Sequence, residues 1–384
     1  MELELTSDQE FFAETTRKFL EDKADVTTLR GLRDDERGYD PAYWRQGCEL
    51  GWTSLLVTED DGGGSISGEG IEDLMLVAYE FGRHAAPGPL IAGNVAAAGL
   101  SAHGSPGQKA DVLQGVLAGE VVATWAYAEP RPHNRLGEIA LEATSDGDGW
   151  SLSGTKTAVE AGTTADYLLV TGRTGGGLTQ FLVPTGSSGV TVTPMHTVDL
   201  TRRFASVSFE RVSVPSSAVV GEVGAAAAQA EHQLQLANAM QCAEMVGAMD
   251  KAMDITVEWA FNRYSFGRPL ASYQALKHRF ADMKAWLESS HALADGAARA
   301  LQDDASNAGE LVSAAKAFIG NYGPELVQEC VQMHGGIGVT FDHDMHLYLR
   351  RVSLDALLFG TVTEHRLRLT DILDSRANAK GDAA

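Results

Sequence analysis

At 384 residues the chain is too long for one small core and suits two or three packed domains. A hydrophobic content of 44% and a charged content of 21% describe an ordinary globular protein. The formal net charge of −22, with no basic patch interleaved with aromatics, argues against nucleic acid and anionic membrane as partners, although local arginines can still hold phosphates.

Cys48, Cys242 and Cys330 are widely separated and odd in number. Buried free thiols of a reducing compartment are expected, not a disulfide frame or a zinc site. No basic segment followed by an apolar one reads as a signal peptide, and no apolar run reaches the ~18 residues of a membrane span. Cytoplasm is the default expectation, with no membrane insertion.

Residues 1–121 read as helical. Ser7-Asp8-Gln9-Glu10 has the form of a capping box before Phe11 and Phe12. Asp40-Pro41 starts another helix with proline in its first turn. Ile71–Phe81 and Ala92–Leu100 continue the helical pattern. Gly62-Gly63-Gly64 follows Glu59, Asp60 and Asp61, which favours a solvated turn over a phosphate cradle. Gly64-Ser65-Ile66-Ser67-Gly68 places isoleucine where a serine hydrolase needs its nucleophile.

The pattern changes near residue 122. Val121–Tyr127, Ile139–Ala143, Trp150–Lys156, Tyr167–Thr171, Gln180–Val183, Val190–Thr193 and Ala205–Phe209 read as short strands separated by glycine-rich turns. They predict a compact β domain, barrel or sandwich, over 122–221. Residues 222–376 return to long helices that can form a four-helix bundle, leaving 377–384 as a flexible tail. The fold class is therefore α+β: helices, then strands, then helices.

Two stretches carry the chemistry. Met245, Met249, Ala252, Thr256 and Trp259 line one helix face, and Leu276, Phe280, Met283 and Leu287 line another. Between them lie Arg263-Tyr264-Ser265-Phe266-Gly267-Arg268-Pro269 and, a little later, Gln274. Arginine offers a planar fork to phosphate oxygens, and glutamine offers a donor and an acceptor. The plain reading of this stretch alone is a helix hairpin with solvated arginines. The second stretch is Gln332-Met333-His334-Gly335-Gly336-Ile337-Gly338, whose paired glycines admit close approach to the backbone. Alone, it reads as a helix C-cap.

Together the two stretches resemble the acyl-CoA dehydrogenase family over nearly the whole chain. Leu50-Gly51-Trp52, Ala128-Glu129-Pro130, Gly154-Thr155-Lys156-Thr157, His278–Met283 and Phe359-Gly360-Thr361 fall where that family has related stretches. The resemblance implies an N-terminal helical domain, a middle β domain and a C-terminal bundle. It implies FAD as cofactor, an acyl-CoA thioester as substrate and electron-transfer flavoprotein as acceptor. It assigns cofactor contacts to Arg263, Phe266, Gln274, Gln332, Gly335, Gly336 and Thr361, of which the Arg263–Gln274 and Gln332–Gly338 stretches serve the flavin of a neighbouring subunit.

The family's reaction needs a carboxylate to take the α-proton, with its pKa raised by burial. The resemblance places that base before Gly360-Thr361 or, in some members, near Ala237. Here those positions hold Phe359 and alanine, and neither accepts a proton. Glu231, Glu244 and Glu364 are the nearest substitutes, each read more simply as a surface or capping carboxylate. The flavin-ring segment of the β domain departs too. Arg131-Pro132-His133-Asn134 replaces a glycine-serine turn, and Ala158-Val159-Glu160 replaces a tryptophan-led contact, adding an anion that would repel reduced flavin. Asp342-His343-Asp344-Met345-His346 lacks metal-ligand spacing, and Asp342 or Asp344 is expected as an N-cap, with no metal site.

The expectation is a subunit that lacks its own base and completes the FAD site of a homologous partner, in an assembly of two copies each of two unlike subunits. Two rivals remain open at this point: a self-sufficient homotetramer with a relocated base, and a non-enzymatic homologue without flavin.

Overall fold

The computed structural model describes residues 5–130 and 138–381. The expected turn at Arg131–Asn134 lies outside the described residues. The principal helices are α1 (Ser7–Lys23), α2 (Pro41–Glu49), α3 (Gly70–His84), α4 (Leu90–His103), α5 (Ala227–Asn262), α6 (Gln274–Gln302), α7 (Ala308–His334), α8 (Met345–Asp355) and α9 (Val362–Gly381). By proximity the chain divides into two compact units, Thr27–Leu74 with Pro87–Ala237, and Met1–Val26 with Met75–Ala86 and Asn238–Ala384.

The first unit is built on one sheet. Its strands are β1 (Ala123–Ala126), β2 (Glu142–Asp146), β3 (Gly149–Glu160), β4 (Tyr167–Thr174), β5 (Gly177–Pro184), β6 (Val190–Met195), β7 (Phe204–Pro215) and β8 (Val219–Val220). They run in the order β6-β7-β3-β2-β4-β5-β8, with β1 parallel to β4 off that path. All seven predicted runs overlap strands; β8 is too short for alternation to signal it. β2 begins later than expected, because other groups use the backbone ahead of it. The Arg173 guanidinium donates to the Ile139 carbonyl, and the amides of Ala140 and Leu141 donate to the Glu129 carboxylate. Leu152, Leu168, Val170, Phe181, Val183, Val207 and Phe209 form the core. α4 is buried over most of its length and lies against β1. Gln180 of β5 exchanges side-chain hydrogen bonds with Gln233 at 2.6 and 3.0 Å, which ties the first turns of α5 to the sheet.

In the second unit α7 packs against α6, α8 and α9. α1 is capped one residue earlier than expected. Thr6 accepts from the Gln9 amide, and the Gln9 side chain accepts from the Thr6 amide, so glutamine serves as the return arm. The end of α3 crosses α5 backbone to backbone. A Cβ at Gly82 would lie 1.8 Å from the Glu244 carbonyl oxygen, and one at Gly247 2.0 Å from that of Tyr79. Beside this crossing Glu244 is buried, contrary to its reading as a surface or capping carboxylate. Its Oε1 meets Arg351 Nη1 at 2.5 Å, and Arg351 Nη2 donates to the carbonyls of Ala85 and Ala86. The acid is internal because an equally buried guanidinium compensates it.

Cys48, Cys242 and Cys330 are unpaired and buried, and burial pushes their thiols up to about 11, about 12 and about 12. Among the described residues no helix is long and apolar enough to cross a membrane.

Arg351→Met leaves Glu244 as a buried, uncompensated charge. The expected loss is about 3–5 kcal/mol of unfolding free energy, read by urea denaturation.

Candidate active site and cofactor corner

α5 ends at Asn262, and a two-stranded hairpin follows, β9 (Tyr264–Ser265) with β10 (Arg268–Pro269). The two residues between them, Phe266 (φ 50°) and Gly267 (φ 81°), are both left-handed, as a tight hairpin turn requires. For phenylalanine that conformation costs about 1–3 kcal/mol. Its ring is nonetheless 97% exposed, so burial in this chain does not offset the cost. The Arg263 guanidinium lies 5.6 Å from the Trp259 ring centroid, and that of Arg268 lies 3.9 Å from Tyr273. Among the described residues neither guanidinium has a carboxylate partner, in a chain with 52 acidic residues. Gln274 opens α6 with its side chain exposed.

The second motif ends α7. Gln332 is exposed, and Gly335 terminates the helix at φ 65°, ψ −142°, where only glycine is comfortable. A Cβ at Gly335 or Gly336 would meet nothing within 4 Å. Gly336 is also free of the left-handed region, so neither its own conformation nor its own packing demands glycine. The structure brings the two motifs together: the His334 ring stacks on Trp259 at 5.3 Å and 26°. This bridge escaped the sequence reading, which placed Trp259 on a core face and gave His334 no role. His343 packs on His334 at 4.4 Å, and its Nδ1 accepts from the Met345 amide. Asp344 stands at the cap position of α8 without capping it through its side chain; the imidazole does that work.

The second corner surrounds Phe359. Phe359 is left-handed at φ 56° and is followed by Gly360 at φ 113°. Its carbonyl accepts from Asn238 Nδ2 at 3.1 Å and faces His365 Nε2 at 3.3 Å. Asn238, the residue after Ala237, thus holds the loop that carries Phe359. Lys316, wholly buried, donates to Gln241 Oε1 and to the carbonyls of Asp355 and Leu358, pinning the loop that carries Phe359. Burial, then the charge of Lys316, pushes His365 down to about 3, too weak to serve as a base. Glu364 forms a capping box with Thr361, whose amide and hydroxyl both donate to it. Glu231 accepts from Gln235 Nε2 at 2.6 Å. Phe359 and Thr361 are not beside Arg263. From Asn238 to Asn262, 24 residues of α5 rise roughly 36 Å.

In the β unit, Lys156 Nζ meets Glu129 Oε1 at 2.8 Å, and the Thr157 amide donates to the Ala128 carbonyl, so two of the family-like stretches meet. Glu160 is buried and accepts from Arg202 Nε at 2.6 Å. The unscreened anion expected at this position is thus a neutralised pair. Ala158, at φ 48°, lies in the register shift between Lys156 and Val159.

Three family models match the chain: the acyl-CoA dehydrogenase N-terminal domain at residues 6–120, the middle domain at 124–212 and the C-terminal domain at 224–372. The chain belongs to the acyl-CoA dehydrogenase family, whose three-domain fold it shares. It is similar to acyl-CoA dehydrogenase IpdE2 of Mycolicibacterium smegmatis, 29% identical over 368 residues, covering 95% of this chain and 98% of the relative. It superposes with a TM-score of 0.87 on a variant of the Tcur3481–Tcur3483 steroid ACAD, at 28% identity, covering 98% of this chain and 99% of the other. It also matches the ChsE4–ChsE5 complex of Mycobacterium tuberculosis at TM-score 0.87 and 25% identity, covering 97% and 99%.

Burial opposes ionisation of Glu129, but Lys156 and the amides of Leu141 and Ala140 outweigh it and hold the carboxyl below its usual range. A depressed folded-state pKa gives stability that is full above the unfolded value and lost as pH falls through the folded one. Glu129→Gln should therefore lower Tm at neutral pH, and the gap to the parent chain should begin to close only as pH falls below the unfolded value of about 4.3.

Proposed function

We propose that this chain is the non-catalytic subunit of an FAD-dependent acyl-CoA dehydrogenase that desaturates the α,β bond of an acyl-CoA thioester. The observation that carries the reading is an asymmetry between the two ends of the Asn238–Asn262 stretch of α5. At one end both base positions lack a carboxylate, and the nearby acids are engaged: Glu244 with Arg351, Glu364 with Thr361. At the other end, cationic and glycine-opened surface faces outward. Roughly 36 Å of helix separates them, so the two ends serve different reaction centres.

The outward corner suits the diphosphate side of FAD. Arg263 binds the pyrophosphate, Gln274 and Gln332 hydrogen-bond to the nucleotide, and Gly335 and Gly336 let it approach the backbone. Phe266 would contact the partner's flavin edge; Thr361, at the Phe359 corner with its hydroxyl donated to Glu364, belongs to the other centre. The chemistry a bound FAD supplies is acceptance of hydride from the β-carbon. The α-proton goes to a carboxylate on a homologous partner. The assembly pairs two copies each of two unlike subunits, and its electrons pass to electron-transfer flavoprotein. The two-component names of the steroid ACAD and the ChsE4–ChsE5 complex support such pairing.

Flavin absorbance tests this. The purified chain should be colourless, and the chain co-expressed with a homologous catalytic subunit should carry one flavin per unlike pair. One flavin per subunit in the chain alone would sink the reading. In the complex, Arg263→Ala should weaken FAD binding by about ten- to a hundredfold, the size of one or two charge-assisted hydrogen bonds.

A further inference from the structure

Arg263 is an exposed cation on a flexible stem, yet a phosphate fork must be presented in one orientation. Among the described residues its side chain has no hydrogen bond or ion pair, and only the Trp259 ring seats it. Trp259 is one helical turn before Arg263, and the Arg263 amide donates to the Trp259 carbonyl at 2.8 Å. The indole is fixed from another element. His334, 4% exposed, stacks on it at 26°, and His343 packs on His334 in turn. His334 Nδ1 lies 2.7 Å from the Cys330 carbonyl, which only accepts, so Nδ1 carries the proton. That bond fixes the plane of the imidazole. Neither Trp259 Nε1 nor His334 Nε2 has a hydrogen-bond partner among the described residues, so the rings are registered by stacking.

We infer that Trp259 and His334 are positioning residues: the imidazole locks the indole, and the indole locks the Arg263 guanidinium in the orientation that receives the FAD pyrophosphate. The inference rests on the shared-site reading above and adds the cause of the arginine's order. Seating the guanidinium beforehand removes part of the rotamer entropy that binding would otherwise cost. A guanidinium seated 5.6 Å from the ring centroid by a cation–π contact keeps its N–H donors available for oxygens. Burial, only partly opposed by the Cys330 bond, holds the His334 pKa below its usual value. The imidazole therefore stays neutral and does not repel the arginine. The same stack joins the first motif to the second, since His334 immediately precedes Gly335.

A double-mutant cycle on the assembled complex tests this, with the dissociation constant of FAD as readout and Tm as a control for folding. Trp259→Leu should weaken FAD about fivefold, whereas Trp259→Phe, which keeps a ring face, should stay within about twofold. His334→Ala should weaken it about threefold and His334→Phe should restore it. In an Arg263→Ala background, Trp259→Leu should add less than about twofold, because its effect runs through the arginine. If Arg263→Ala weakens FAD but Trp259→Leu adds its full effect, the positioning role is overturned and the shared site stands. If Arg263→Ala leaves FAD binding unchanged, both fall. Equal losses in the leucine and phenylalanine variants would make Trp259 a packing residue and overturn the inference.

Discussion

An α-helix has a fixed rise, and the 36 residues of α5 turn that into a fixed separation. The helix cannot bend its two ends toward one reaction centre without breaking its backbone ladder. Its N-terminal turns are tied to the sheet by the glutamine exchange at Gln180. Asn238 then holds the Phe359 carbonyl, Gly247 touches α3, and Trp259 and Arg263 finish the helix on a surface. The assignments differ according to whether the Asn238 region or the C-terminal end of α5 is meant. A base at Phe359 and an anion seat at Arg263 are not one site.

The Phe359 corner carries more scaffolding than its chemistry uses. A buried lysine, an asparagine and a histidine hold successive carbonyls of the loop, and the loop presents a left-handed phenylalanine. Holding a bulky residue at positive φ costs free energy that only surrounding structure can meet. The clamp is therefore a property of the backbone position and not of the side chain it displays. The turn thus displays, at a hydrogen-bonded backbone position, a side chain without acid–base capacity. In the β unit Glu160 is half of a buried pair with Arg202 and not an exposed anion.

The strands, the long helices and the glycine that ends α7 were legible because each is carried by local pattern: alternation, a 3.6-residue period, or glycine at a helix end. The delayed start of β2 was not legible, because Arg173 and Glu129 satisfy its backbone from distant positions. The burial of Glu244 was hidden for a similar reason: Arg351, 107 residues away, neutralises it. One signal was available and unused. Lys316 stands in the run Ser313-Ala314-Ala315-Lys316-Ala317-Phe318-Ile319, and a lone cation among small and apolar residues on a helix marks a buried, carbonyl-bound ammonium. The Trp259–His334 stack had no such signal, since either residue alone is an ordinary member of a helix face.

Unpaired cations are informative in proportion to the anions available to pair with them. With 52 acidic residues against 30 basic ones, an arginine left on an aromatic ring is held apart from the chain's own carboxylates. Arg263 and Arg268 share that condition within one hairpin, each on a ring fixed by other contacts: Trp259 by His334, Tyr273 by the bond from its hydroxyl to the Ser265 carbonyl. Gly336 adds the complementary fact, a glycine that the chain's own conformation and packing do not require. Cations kept unneutralised and a backbone kept bare are costs within the isolated chain: lost ion pairing in one case, conformational entropy in the other. An anionic group from outside the chain lying against that surface would turn both into gains.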